Sequence, residues 1–356
     1  RKQNEGRVGM TPKGVRKVVE VGGIVLVETG AGVHAGFSDE QYHSAGAILT
    51  GKTGEVWSKS DIVVKVKEPI REEYQYLLSM KGKALFTYLH LAGVEVELTR
   101  ALLRNEITAI AYETVAEEVG GRMTFPLLTP MSKIAGTQSM SAALQRFKEI
   151  GVLSVCIIGG GNVGEAALRR ALGSGVEHVI LFEEWDLRVK ELRAKYNDAK
   201  VDIFPMKMLH TPMVRKLIPM VDIFICAPML PGGKEAPIVL TQNEFRTMKN
   251  RAYISDVSID QGGSTTWTKG NPTKPGETFI RGARNLVFSA VPNIPGSTVP
   301  GEATQALTRE TEAYILDMVV HRLRSHVGIY NALKSCPTLR RGLQTYQGLL
   351  TNEHVA

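Results

Sequence analysis

The sequence predicts an α/β protein of two domains, each built on a parallel sheet, with the second inserted into the first. Short apolar runs alternate with helical segments along most of the chain, as βαβ units require. A length of 356 residues leaves room for about two domains. The text after Glu302, EATQALTRETEAYILDMVVHRL, turns helical and returns to the first domain. These features place one domain at 1–129 with 300–356 and the other at 130–299.

The first element is TPKGVRKVVEVG. Thr11 can cap a helix, and Pro12 suits its first position. Val15, Val18 and Val19 share one face, and Gly22 or Gly23 ends the helix. IVLVE (24–28) follows as a strand, and DEQYHSAGAIL as a short helix. DIVVKVKEP (61–69), rich in β-branched residues, and ALFTYL (84–89) are strands. VEVELTRALLRNE is a helix, and ITAIAYE (107–113) is a strand. A helix over 131–147 leads into the second domain. There CIIGGGNVGEAALRRALGSGVEHVILFEE reads as strand, glycine turn, helix and strand. Further strands are expected at 201–204, 221–227, 252–259 and 285–291.

Composition narrows the function. A hydrophobic fraction of 43% suffices for a real core. The formal charge of +7 is spread along the chain rather than run together. It suits a solvated surface or small acidic ligands. The densest basic pairs are Arg281 with Arg284, Arg322 with Arg324, and Arg340 with Arg341. No base-stacking motif accompanies them, so no nucleic-acid partner is expected. The three cysteines, Cys156, Cys226 and Cys336, form neither a disulfide framework nor a metal pair. No metal is expected. With no run of transmembrane length and no signal peptide, the expectation is a cytoplasmic protein without a membrane partner.

Gly159, Gly161 and Gly164 spell G-x-G-x-x-G between an apolar strand and a helix. The first glycine permits a tight turn, the second lets a pyrophosphate approach, and the third lets helix and strand pack closely. The helix that runs out, Glu165 to Leu172, offers N–H groups at its start to phosphate, and Val163 in the turn is counted with the glycines among the cofactor-binding residues. The next strand ends at Glu183, at the spacing of an acid that binds an adenosine ribose and repels a 2′-phosphate. This favours NAD as cofactor. Glu184 adds to that preference and Arg188 tempers it. The alternative is a structural βαβ turn without a ligand. The architecture expected is therefore two Rossmann-like domains with a cleft between them.

In open parallel sheets, ligands sit beyond the carboxyl ends of strands. Lys67, His90 and Asp260 occupy such positions and could orient an acid and shuttle a proton. Each has a simpler alternative: a strand-end lysine beside Lys65, a hydrogen-bonded core histidine, and a turn residue.

Several phrases then occur in a telling order: NEGRVGMTP, VVKVKEP, LFTYLHLA, TAIAYETV, LLTPMSKIAG, the glycine turn, ICAPMLPGGKEAP, SDVSIDQGG and NIPG. Together with the tail ALKSCPTLRRGLQTYQGLLTNEHVA, this order resembles the alanine dehydrogenase family, which includes the NAD-binding part of proton-pumping transhydrogenase (the NAD(P) transhydrogenase alpha chain). The lysine and histidine at the strand ends match the amino-acid branch. The resemblance implies NAD-dependent oxidative deamination of L-alanine to pyruvate and ammonium, and the reverse amination. It implies that Arg7 and Lys67 hold the substrate carboxylate and carbonyl, that His90 is the acid–base residue, and that Asp260 is its catalytic partner. Ser132, Glu183, Arg188, the turn Val257, Ser258, Ile259 and Asp260, and the turn Val291, Pro292, Asn293 and Ile294 would line the cofactor. The family also implies a homo-oligomer, a hexamer. Two alternatives stand beside this: a relative acting on another amino acid, keto acid or imine with opine-like products, and a catalytically silent NAD-binding protein.

The chain departs from the family pattern at four places. The family's opening strand would precede Arg1, so the first sheet is expected to lack one strand. The glycine-rich excursion before the glycine turn is missing. The loop after Asp260 reads STTWTKGNPT, with Asn271 where the family has histidine. AVPNIPGSTVPGEAT differs from the usual ANMPGAVPRTST. The last two bear on the substrate side chain, since a methylene is discriminated by only about 1–3 kcal/mol.

Overall fold

The computed structural model describes residues 2–91, 96–149, 151, 154–229 and 235–352. The chain divides into two compact units, Arg1–Met131 with Val299–Ala356, and Ser132–Thr298.

The first unit opens with the helix Pro12–Glu20, where the Thr11 hydroxyl accepts the Gly14 N–H at 3.2 Å. Val15 and Val18 point from it into the interior. Strand β1 (Leu26–Glu28) follows. The stretch expected as one helix from Asp39 is divided. It is helical over Asp39–Ser44, turns at Gly46 with φ 94°, and becomes strand β2 (Ile48–Thr50), parallel to β1. Glycine reaches that φ without the steric cost other residues bear. A helix the sequence reading lacked, Thr53–Lys59, leads to β3 (Ile62–Val64). Then come β4 (Ala84–Thr87), the helix Val96–Arg104, and β5 (Thr108–Ala111). The start of that helix, expected at Val94, lies outside the described residues. A two-stranded hairpin, β6 (Glu117–Val119) and β7 (Arg122–Thr124), turns through Gly120 and Gly121, both at positive φ.

The helix expected at 131–147 runs Thr129–Arg146. The second unit then continues with β8 (Ser154–Ile158), the helix Asn162–Leu172, β9 (His178–Glu183), the helix Asp186–Lys195 and β10 (Val201–Pro205). Next are β11 (Ile223–Cys226), β12 (Tyr253–Asp256), β13 (Phe279–Arg281) and β14 (Leu286–Ser289). Their order in the sheet is β10-β9-β8-β11-β12-β14-β13. All pairs are parallel except β13 with β14. The strand expected to reach Ile259 stops at Asp256, and Val257–Gln261 forms a 3₁₀ turn. Apolar layers cover both faces of the sheet. Phe182, Phe224, Phe245 and Phe288 lie in one, and Leu168, Leu181, Ile223 and Val287 in the other. Such double cover is why these strands read as unbroken apolar runs.

The chain returns to the first unit through the long helix Pro300–Arg324 and the helix Gly328–Ser335, ending in β15 (Leu343–Tyr346) and β16 (Leu349–Leu350). Its main sheet has the order β16-β15-β5-β4-β3. The strands β3, β4 and β5 are parallel, while β15 and β16 pair antiparallel. This sheet is therefore mixed rather than wholly parallel. The pair β1 and β2 forms a separate sheet.

Candidate active site

In the second unit β8 lies between β9 and β11, so successive connections leave it in opposite directions. That is the switch point at which open α/β sheets bind ligands. The glycine turn sits there. Gly159 has φ 103°, and a Cβ on it would meet the Ala227 carbonyl oxygen at 2.5 Å. A Cβ on Gly164 would stand 1.8 Å from the Gly159 carbonyl oxygen, so only glycine lets the helix pack this close. A Cβ on Gly161 would meet nothing within 4 Å. The space above the second glycine is open, and Gly161 caps the helix Asn162–Leu172 without a side chain. This cradle fits a dinucleotide pyrophosphate at a helix N-terminus.

Glu183 ends β9 with 5% of its surface exposed. Its Oε2 accepts the Gly160 N–H at 2.6 Å and its Oε1 the Trp185 N–H at 3.0 Å. The acid therefore braces the glycine turn. Arg188 donates from Nε to the Gly160 carbonyl oxygen at 3.1 Å and pairs with Glu165. Ser132 lies in the helix Thr129–Arg146, one turn before Gly136, where a Cβ would stand 2.0 Å from the Val163 carbonyl oxygen. Positions four apart share a helix face, so Ser132 is on the side facing the glycine-turn helix.

The turns after β12 and β14 are joined. The Asn293 N–H donates to Asp260 Oδ2 at 3.0 Å, with Asn293 held at φ 52°. The Ser258 hydroxyl donates to the Pro228 carbonyl oxygen at 2.6 Å. Beneath them Asp256 is buried and accepts the Ser258 N–H at 3.0 Å, the Ser264 N–H at 2.6 Å and the Ser264 hydroxyl at 2.8 Å, as well as the Thr268 hydroxyl. So many donors to one carboxylate fix the loop that carries Val257, Ile259 and Asp260.

In the first unit Arg7, Lys67 and His90 gather around Tyr88 and Glu68. Arg7 is buried and grips Glu5 with two parallel bonds, Nε to Oε1 at 2.8 Å and Nη2 to Oε2 at 2.6 Å. Its guanidinium carbon lies 5.9 Å from the centre of the Tyr88 ring, against which the His90 ring stacks at 5.7 Å. Burial pushes the Tyr88 phenol far above its usual value, and the neutral hydroxyl donates to the Leu127 carbonyl oxygen at 2.6 Å. His90 follows β4 at φ 49°. Its N–H and that of Leu89 both donate to the Glu113 carboxylate, at 2.5 Å and 3.2 Å. This left-handed conformation is uncommon outside glycine and lifts the imidazole out of the strand. His90 Nδ1 faces Glu68 Oε2 at 3.7 Å, and Lys2 contacts the other oxygen of Glu68. Burial works to raise the Glu68 carboxyl, but His90, Lys2 and the charge of Lys67 outweigh it and hold the group well below the carboxylate range. Arg7 and Lys67 line one cavity of about 890 Å³.

The sequence reading named Arg7, Lys67 and His90 but not the residues that hold them. Glu5, Glu68 and Glu113 stood inside the quoted phrases NEGRV, VVKVKEP and TAIAYETV. For Glu5 and Glu68 the clue was their place beside Arg7 and Lys67; Glu113 stands 23 residues from His90 and gave none. Gly160 and Glu165, inside and just after the glycine turn, were equally legible as neighbours.

Among the described residues, no group of three histidine, cysteine, aspartate or glutamate side chains is placed to hold a metal ion. No described helix is long and apolar enough to cross a membrane.

A glycine turn at the switch point of a parallel sheet in one unit, and in the other an arginine, a lysine and a histidine gathered together, define a two-unit α/β protein of dinucleotide-binding type. The chain belongs to the alanine dehydrogenase/PNT family: the N-terminal domain model of that family matches residues 1–135 and the C-terminal domain model residues 134–353. It is 40% identical over 373 residues to an alanine dehydrogenase of Bacillus subtilis, covering all of this chain and 92% of that protein. It is 38% identical over 374 residues to alanine dehydrogenase 2 of Staphylococcus aureus, covering 93% of that protein. Its structure is similar to that of an L-alanine dehydrogenase at a TM-score of 0.84 and 35% identity, covering 99% of this chain and 95% of the other.

Proposed function

We propose that the chain is an NAD-dependent alanine dehydrogenase, converting L-alanine to pyruvate and ammonium and running the reverse amination. The observation that carries this reading is the grouping of Arg7, Lys67 and His90 around Tyr88 and Glu68. An α-amino acid presents a carboxylate and a nitrogen, and this group offers cations for the first and a proton carrier for the second. The first unit takes the substrate, and the second takes NAD along its glycine turn, with Ser132, Glu183, Arg188 and the turns 257–260 and 291–294 lining it.

When bound, NAD supplies the hydride acceptor. The chain's own residues do the rest. Arg7 and Lys67 balance the substrate carboxylate and polarise the carbonyl oxygen in the aminating direction. His90 takes a proton from the water that attacks the imine and returns one as the carbinolamine releases ammonium. Asp260, held by the Asn293 N–H, serves as the second acid–base group. By family likeness the working form is a homo-oligomer, a hexamer, in the cytoplasm.

The test is absorbance at the reduced-nicotinamide band. Purified protein receives NAD with a panel of L-amino acids, then NADH and ammonium with a panel of 2-keto acids. Turnover with alanine and pyruvate is expected. Turnover only with another pair would replace the substrate assignment. Cofactor binding without any turnover would reduce the protein to an NAD-binding one.

A further inference from the structure

Arg188 stands where an NADP-binding protein would place an arginine. It lies five residues past the acid that ends β9, on the helix Asp186–Lys195, with its Nε bonded to the carbonyl of the glycine turn. An arginine in this region accepts the 2′-phosphate in NADP-binding relatives of the fold. Here its guanidinium is occupied. Nη2 pairs with Glu165 Oε2, and Nη1 lies 3.5 Å from Glu191 Oε2.

Glu165 is the hub of this arrangement. It follows Gly164 in the first turn of the helix Asn162–Leu172. Besides Arg188 it receives Lys195 Nζ at 2.6 Å and the Tyr196 hydroxyl at 2.8 Å, and Arg169 Nε lies 3.7 Å away. Three cations thus converge on one carboxylate beside the turn. Burial works to raise Glu165, but the bonds from Lys195, Tyr196 and Arg188 outweigh it and hold it at about 2, so it is ionised at neutral pH.

We propose that Glu165 is a specificity residue for the dinucleotide: by holding Arg188 it denies that arginine to a 2′-phosphate. The inference rests on the reading that the glycine turn binds a dinucleotide. Glu183 repels the phosphate directly, while Glu165 removes the group that would otherwise attract it. Glutamine in place of Glu165 keeps the side chain's size and removes its charge. Arg188 then becomes available as a planar, bidentate phosphate donor.

The experiment titrates NADPH and NADH against the full chain, read by nicotinamide fluorescence, in wild type, Glu165→Gln, and Glu165→Gln with Arg188→Ala. The ratio of the two dissociation constants within each protein is the measured quantity. In Glu165→Gln it shifts toward NADPH by about tenfold, the effect of one good charge-assisted phosphate contact. Adding Arg188→Ala abolishes the gain. An unchanged ratio in Glu165→Gln, with NADH still bound, would overturn the proposal. So would a gain that survives Arg188→Ala. If the glutamine variant fails to fold, Glu165→Asp, which draws the carboxylate back by one methylene, is expected to shift the ratio the same way, and no shift there would count against the proposal. Wild type that binds neither nucleotide would sink the dinucleotide reading itself, a different failure from an unchanged ratio.

Discussion

His90 Nδ1 faces Glu68 Oε2 at 3.7 Å, and that oxygen is buried without a hydrogen-bond partner among the described residues. At this distance no hydrogen bond is formed, and a small ring rotation closes the contact to one. A buried carboxylate oxygen without a donor is costly, so the imidazole is its natural partner. Closing the contact fixes Nδ1 as the donor and leaves Nε2 for the substrate. Glu68→Gln is expected to lower kcat by about tenfold to a hundredfold with a smaller change in KM for alanine, since general acid–base catalysis contributes about 10²–10⁴ in all. Steady-state kinetics check this, with the melting temperature as a control for folding.

The glycine turn separates binding from folding. Gly161→Ala adds a methyl to open space at φ −68°, which alanine tolerates. Its melting temperature is expected to stay at the wild-type value while NADH affinity falls, because the methyl stands where the pyrophosphate approaches. Gly164→Ala drives a methyl to 1.8 Å from the Gly159 carbonyl oxygen. It is expected to cost about 1–3 kcal/mol of stability or more and to lose NADH binding as well. Thermal melting and fluorescence titration of both variants distinguish the two effects.

Arg7 and Glu5 form a buried pair, each with its side chain under 5% exposed. Removing the cation leaves a buried charge uncompensated, which costs about 3–5 kcal/mol. Arg7→Met is therefore expected to be strongly destabilised. Arg7→Lys keeps the charge but loses the planar fork. It is expected to fold and to raise KM for alanine by about tenfold, the loss of one charge-assisted contact to the substrate carboxylate. Chemical denaturation and initial-rate kinetics test the two variants.

Glu165 gives a pH signature. Its folded value of about 2 lies below the ordinary 4.5. The group therefore contributes stability that is fully present above 4.5 and is lost as pH falls from there toward 2. Glu165→Gln is expected to flatten the fall in stability across that window while leaving its shape at neutral pH unchanged. Urea midpoints measured at steps of pH provide the comparison.

How much of this was legible in the sequence depends on burial. The strands β8, β9, β11 and β12 are covered on both faces, so their apolar runs could be read directly. The hairpin of β6 and β7 is exposed, and EEVGGRMT shows no apolar alternation; only Gly120-Gly121 marked its turn. The stretch LQTYQGLL forms a local hairpin of β15 and β16, but it joins the main sheet through β5, a pairing across more than two hundred residues that local pattern does not show. For the site, strand ends and phrases pointed to Arg7, Lys67, His90 and Asp260. Glu5, Glu68 and Glu113 escaped because a carboxylate in a loop has no periodicity. Arg188 was read as a mark against NAD preference. Its pairing with Glu165, two elements away in the chain, is a contact that no spacing rule would have supplied.

The division of labour between the two units is tested most directly by His90→Ala, assayed for alanine-dependent NADH formation and for NADH binding by fluorescence. Turnover should vanish while NADH affinity stays near the wild-type value, because His90 belongs to the first unit and the glycine turn to the second. Wild-type turnover in His90→Ala would contradict the account and remove His90 from the chemistry.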